Sequence, residues 1–175
     1  MSTAVAELPD LYEVIDGEIV EKEPMSVKAN ACAAIVNLAL GVFGTTKSIG
    51  MAYPETLIQM PSPIDRDRRP DVIFVSYAKW PKGKGYPDDR SWDITPDLCV
   101  EVVSPTDQAD IVREKIEEYF EAGIPLVWVV YPQRELVDVY ETPTMAHRTF
   151  RRSDTLTGSS VLAGFSLPLS ELFLR

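Results

Sequence analysis

The chain has 175 residues, 45% of them hydrophobic, and its 17 basic against 27 acidic side chains leave a net charge of −10. That length predicts one domain over residues 1–175 with a core of its own, and the acidic balance argues against a general nucleic-acid coat protein while leaving room for a local basic cleft. His147 is the single histidine, which excludes histidine-rich zinc sites and leaves any Ser-His or Cys-His nucleophile resting on one residue.

The N-terminus MSTAVAELPD lacks a basic segment followed by an apolar one, and no uninterrupted apolar run approaches the roughly 18 residues of a membrane span. The expectation is a cytoplasmic protein with no membrane partner. In LYEVIDGEIVE, residues 11–21, Asp16-Gly17 separates two short alternating runs, the signature of a two-residue β-hairpin. Residues 28–43, KANACAAIVNLALGVF, predict a largely buried helix ending near Gly41 or Gly44, with Asn30, Asn37 and Gly41 on one small polar face. Cys32 in that run, like Cys99 further on, is expected to be a buried thiol outside any disulfide framework. An extended stretch, 49–60, precedes the proline-bounded loop PSPIDRDRRP, and Asp71 then opens the strand DVIFVSY. Residues 79–95 are a long connection rich in Gly, Pro and charge. Strand 98–103, helix 107–122 with Thr106 or Asp107 as N-cap, and strand 126–131 follow, the helix stopping at Gly123 before Pro125. A second hairpin, 135–140 with 147–152, and a short helix at 169–174 end the chain. Strand, helix, strand with near-continuous apolar strands implies a βαβ crossover within one mixed sheet, in the α/β (α+β) class.

In Leu98-Cys99-Val100-Glu101-Val102-Val103, alternation puts Glu101 on the face of Cys99 and Val103. A carboxylate on an apolar face needs a cation, hydrogen bonds or a raised pKa. The alternative is a position at the exposed strand end beside Ser104-Pro105. With Ile111 as origin and about 100° per residue, the inward face of the next helix holds Ile111, Val112, Ile116, Tyr119 and Ala122. Lys115 falls at about 40°, inside that face, while Glu114, Glu117, Glu118 and Glu121 form a solvated acidic face. Lys115 would snorkel out or meet Glu101, and a structural ion pair would use the same residues. Asp71, behind Pro70, could be a turn residue. Together with Glu101 it could instead hold Mg²⁺, or Mn²⁺ as a substitute, between two convergent carboxylates, with Lys115 beside an attacking water. That is a constellation for phosphodiester hydrolysis.

Pro70-Asp71 and Glu101 resemble the motif of the PD-(D/E)XK nuclease superfamily. More closely, YEVIDGEIV, RRPDVIFV, PDLCVEVVSPTD, KIEEYFEAGIPLVWVVYP and VDVYE are similar, in order and spacing over most of the chain, to the Uma-type family of restriction-endonuclease-like proteins. The resemblance implies a restriction-endonuclease-like core, a mixed central sheet flanked by helices, with hairpins at both ends. It implies metal ligation by Asp71, Glu101 and the backbone carbonyl of Val102. The motif's lysine would stand at Val103, and Lys115 on the following helix matches the family's relocated lysine. Asn30 stands near where relatives often carry a histidine, and Tyr131 replaces an aspartate often found before the proline. Glu55 could support the metal, although a solvated surface position is favoured for it.

DNA contact would need local positive charge, and residues 62–92 hold seven basic side chains (Arg66, Arg68, Arg69, Lys79, Lys82, Lys84, Arg90) against five acids. They are equally readable as solvated loops. Trp80, Tyr86 and Trp92 could stack on bases or pin the loop. The leading expectation is therefore a Mg²⁺-dependent endonuclease for DNA, with Asp71, Glu101 and Lys115 as catalytic residues. The rival is a catalytically inactive nuclease-fold binding or structural homodimer, and RNA or a small nucleotide is a third substrate class.

Overall fold

Asp16 and Gly17 both take positive φ (52° and 81°), the primed-turn geometry their residue types favour. They join β1 (Tyr12–Ile15) to the antiparallel β2 (Glu18–Glu21) in a computed structural model that describes residues 8–104 and 108–173. The hydroxyl of Ser26 then caps α1 (Val27–Thr46) by accepting from the Ala29 N–H. The helix does not stop at either expected glycine. Gly44 serves packing instead: a Cβ there would lie 2.6 Å from the Phe74 ring and from the Gly50 carbonyl, so the glycine lets the helix lie directly on the sheet.

Nor is α1 largely buried. Ala29, Cys32, Ala33, Val36 and Leu40 face the core, while Val27 is 89% and Leu38 67% exposed. By length and composition this helix, unlike the short unbroken apolar runs within it, is sufficient to cross a bilayer; here its buried face packs on the central sheet.

After α1 come β3 (Gly50–Pro54), the short strands β4 (Ile58–Gln59) and β5 (Asp67–Arg68), β6 (Val72–Ser76) and β7 (Leu98–Val102). Next are α2 (Ala109–Glu121), β8 (Val127–Tyr131), β9 (Leu136–Tyr140), β10 (His147–Arg151), β11 (Thr155–Gly158), β12 (Leu162–Pro168) and a helical turn, α3 (Leu169–Leu172). Six of these strands form one sheet in the order β10-β9-β8-β7-β6-β3, mixed because β7 and β8 run parallel and the other pairs antiparallel. A parallel pair needs a crossover, and α2 supplies it. Gly123, at φ 84°, ends that helix as expected.

The continuous apolar strands bury both faces. Val72, Phe74, Val100, Trp128 and Val130 point toward α1 and β12, whereas Ile73, Val75, Cys99, Val127 and Val129 point toward Ile116 and Tyr119 of α2. Cys32 and Cys99 are buried free thiols, as expected. A second sheet of four strands, β2-β1-β5-β4, holds the N-terminal hairpin.

Three local expectations change. The loop PSPIDRDRRP contains strand β5. The hairpin β11–β12 had no separate sequence signal, and it packs Leu156, Leu162, Phe165 and Leu167 into the core. On α2, Ile111 is 45% exposed and Glu118 is buried, the reverse of the wheel's assignment; Gln108 is the N-cap, and the proposed caps Thr106 and Asp107 lie outside the described residues.

Gly44→Ala should lower stability by roughly 1–3 kcal/mol through overpacking against Phe74 and Gly50. Chemical denaturation monitored by tryptophan fluorescence would check this, with Gly41→Ala, where no atom lies within 4 Å of an added Cβ, as the mild control.

Candidate active site

The antiparallel register of β6 and β7 pairs Val72 with Val100 and Ile73 with Cys99. One step further, the same register sets Asp71 opposite Glu101. Residues opposite each other share a sheet face, so the two carboxylates stand side by side on the α2 face at the open end of the pair. The position of Asp71 directly before β6 therefore decides its neighbour.

Both acids are buried, at 3% and 7% exposure, and each oxygen has a partner. Asp71 Oδ2 accepts the Val102 N–H at 2.5 Å, and Oδ1 accepts from Lys22 Nζ at 2.6 Å. Glu101 Oε1 accepts from the Tyr119 hydroxyl at 2.5 Å, while Oε2 lies 3.5 Å from Lys115 Nζ. The ammonium of Lys115, itself buried, makes its shorter pair with Glu13 Oε1 at 2.8 Å. Asp71, Glu101 and Lys115 are thus brought together, and α2 delivers the lysine to Glu101 as the wheel predicts. Val102 is tied to the site through its N–H, and Val103 continues the ladder to Val130, so no cation stands at that strand position.

The structure corrects Glu55. Its carboxylate is not a solvated surface group but is half-buried and bonded to Lys22 Nζ at 2.8 Å. Lys22 also donates to the Arg69 carbonyl at 3.2 Å. Asn30 is exposed on α1 and does not border the cavity, and Tyr131 lines a different hollow with Tyr140 and His147.

Several members of the site carry little sequence signal. Glu13 alternates with Tyr12 and Val14 in the hairpin and receives the Arg69 N–H at 3.0 Å and Arg68 Nη1 at 3.0 Å. Arg68 is 1% exposed and clamps Glu118 bidentately, at 2.6 and 3.0 Å. Lys22 has one faint mark: it is the sole cation of residues 8–27, among acids. Tyr119 was legible as inward but not as a hydroxyl donor.

Consequently Arg66, Arg68 and Arg69, three of the seven basic residues expected to offer a nucleic-acid surface, are engaged internally. Arg66 pairs with Asp16, Glu114 and Glu118, and Arg69 donates to the Tyr12 and Glu55 carbonyls. Trp92 packs edge to face on Trp80, Tyr86 and Tyr53, and Tyr86 on Tyr53, which pins the 79–95 connection.

The charges do not balance within the site. The carboxylates of Glu13, Glu55, Asp71 and Glu101 face the Lys22 and Lys115 ammonium groups, with the Arg68 guanidinium shared between Glu13 and Glu118. Burial, opposed by Lys115, aided by Asp71, opposed by Lys22 and aided by Glu13, pushes the Glu101 carboxyl up to about 7. Burial also works against the Lys115 ammonium, but Glu101 and Glu13 outweigh it and raise its pKa, so it stays protonated. For Glu13 burial works upward, but Lys115, the Arg69 N–H and Arg68 together outweigh it, and its pKa is lowered.

These groups border a cavity of about 320 Å³ onto which Glu13, Lys22, Asp71, Glu101, Val102 and Lys115 open. Among the described residues no three or more His, Cys, Asp or Glu side chains form an enclosing metal cage. Asp71 and Glu101, two carboxylates opening on one cavity, are instead hard oxygen donors of the kind that suits a water-retaining ion such as Mg²⁺. The donors are oxygens, and both acids open on one cavity, so the residues present fit such an ion.

Known proteins share this architecture. A family profile described as Uma2, putative restriction endonuclease, matches residues 5–170. The crystal structure of a putative nuclease belonging to DUF820 from Anabaena variabilis superposes with a TM-score of 0.79 at 21% identity, covering 93% of this chain and 89% of that one. No curated protein sequence matches.

Arg68→Ala should destabilise the fold by about 3–5 kcal/mol, because Glu13 and Glu118 lose a buried partner. Arg113→Ala, which removes an exposed pair with Glu117, should cost less than about 0.5 kcal/mol. Urea denaturation of both variants measures the contrast.

Proposed function

The chain belongs to the Uma2 family of putative restriction endonucleases, and on that premise we propose that the cavity between β6, β7 and α2 is the active site of a Mg²⁺-dependent endonuclease that hydrolyses DNA. The observation that supports this reading most directly is the pairing of Asp71 with Glu101 across the strand register, with Lys115 on the second acid. The asymmetry of their partners also supports it. Acids outnumber cations around the cavity, and a divalent ion would offset that excess.

Asp71, Glu101 and the Val102 carbonyl would hold the ion. Bound there, a divalent cation supplies neutralising charge to a phosphoryl oxygen and lowers the pKa of a coordinated water. The rest is the work of the chain. Tyr119 fixes Glu101 through the hydroxyl on Oε1 and leaves Oε2 turned toward Lys115. Glu13 holds Lys115 from the other side, itself fixed by Arg68 and the Arg69 N–H. Because Lys115 is protonated, it is a hydrogen-bond donor and not a general base. It orients the attacking water and offsets the charge that accumulates on the phosphorus oxygens. Mg²⁺ is the resident ion in this reading, with Mn²⁺ as substitute.

Supercoiled plasmid should be nicked in Mg²⁺ or Mn²⁺ and left intact in chelator. Asp71→Asn, Glu101→Gln and Lys115→Met should each lower the rate by about 10²-fold or more with unchanged circular dichroism. Full nicking by any of the three sinks that residue's role, and a parallel assay on single-stranded RNA separates the substrate classes.

A second reading, a nuclease-fold DNA-binding protein without activity, draws on one observation: all four oxygens of Asp71 and Glu101 already have partners in the chain. DNA binding of equal strength with and without Mg²⁺, and no nicking, would be its result.

The raised Glu101 pKa also predicts a pH effect in the metal-free protein. An acid that titrates at about 7 in the fold and at 4.5 when unfolded binds its proton more tightly in the native state. Its contribution to stability is fully present below pH 4.5 and is lost as pH rises through about 7. The melting temperature in chelator should therefore fall between pH 5 and 7.5 by more in the wild type than in Glu101→Gln; identical profiles would refute it.

A further inference from the structure

Lys22 is the one member of the site that neither sequence motif nor catalytic scheme absorbs. It follows β2, the edge strand of the smaller sheet, whose four residues are all exposed. Its side chain nonetheless turns inward and is 13% exposed. The ammonium lies 2.6 Å from Asp71 Oδ1, 2.8 Å from Glu55 Oε2 and 3.2 Å from the Arg69 carbonyl. All three of its hydrogens are thereby satisfied by oxygen.

Set against the metal-site reading above, on which this inference rests, that position is informative. Asp71 has two oxygens, and Oδ2 is committed to the Val102 N–H. A cation that binds Asp71 through Oδ1 must take the place of an ammonium already in contact with it. Two cations at one buried oxygen repel by several kcal/mol even at an effective dielectric constant of about 20. Lys22 has somewhere to go: Glu55 is a second carboxylate within its reach, and the four-carbon stem swings without moving the backbone.

We infer that Lys22 is a built-in counter-ion that competes with the divalent metal for Asp71 Oδ1, neutralising the acid pair in the metal-free protein and withdrawing onto Glu55 when the ion binds. The device lets the site exist folded without metal and sets how much free metal is needed to load it.

The test measures metal binding directly. Mn²⁺ is titrated calorimetrically into metal-free wild type, Lys22→Met and Lys22→Gln, each checked for folding by circular dichroism. Both variants should bind Mn²⁺ at least about tenfold more tightly than wild type, as expected for loss of one contact charge at a part-buried site. Binding in the variants with none in wild type supports the same conclusion more strongly. Equal or weaker binding in the variants, with binding intact in wild type, overturns the role of Lys22 and leaves the metal site standing. No binding in any of the three overturns the metal site and this inference together.

The wild-type protein gives an independent reading if the variants do not fold. Acetylation of Lys22 by an active ester, followed by mass spectrometry with Lys28 as internal reference, should accelerate when Mg²⁺ is added, because the ammonium leaves its tightest ion pair. An unchanged ratio refutes the displacement.

Discussion

Two carboxylates forced together by a strand register, both all but buried, set the terms for the rest of this structure. Asp71 and Glu101 lie opposite each other because β6 and β7 pair as they do, and the pairing is fixed by the apolar faces on both sides of it. Like charges at that separation in a buried site must be neutralised or protonated. The chain answers with cations from distant segments: Lys22 from the end of the hairpin and Lys115 from the crossover helix, with Arg68 steadying Glu13 behind them. The network is therefore also a set of ties. It binds the smaller sheet to the central one and α2 to both.

Buried ion pairs of this kind roughly break even against the cost of desolvating them. The fold's stability must come from elsewhere, and it does: two apolar layers close on the two faces of a sheet whose central strands are buried throughout. With that apolar burial in hand, the protein can carry an acid such as Glu101 whose ionisation is unfavourable where it stands. The close approach of α1 through Gly44 on one face and the crossover through α2 on the other pack against the sheet that carries the acids.

Charge is allocated in a way that composition conceals. An acidic protein has few cations to spare, and here three arginines of its most basic segment are engaged inside, on carboxylates or backbone carbonyls. With Lys79 paired to Asp97, what that segment leaves outward and unpaired to an acid is a smaller set, Lys82, Lys84 and Arg90, around an aromatic cluster in which Lys84 sits over the Trp80 ring at 3.6 Å. Any surface for a polyanion on this side is narrower than the sequence count suggests. The long 79–95 connection is ordered by those rings and not by regular structure.

Much of the site was legible in the chain itself, because periodicity reports the direction a side chain takes. Alternation along 98–103 turned Glu101 toward Cys99, and the helical wheel turned Lys115 and Tyr119 inward; the strands, the crossover helix and the first hairpin followed from the same local signals. Periodicity failed where a polar side chain's partner overrode its face. Glu118 belongs to the acidic face of α2, yet a buried guanidinium fifty residues earlier draws it in. Glu55 and Lys22 carry the marks of solvated residues, yet Asp71 and Glu55 draw the Lys22 ammonium inward and leave Glu55 half-buried beside it. Arg68 lies in a segment with every sign of a loop and is the most enclosed cation of the site. The sequence by itself determined the first hairpin, the central strands and the crossover helix, and which way Glu101 and Lys115 point, since those depend on residues a few positions away. Only the tertiary structure decided which charges meet, since the partner of a buried ion is chosen by the packing of sheets whose strands lie dozens of residues apart.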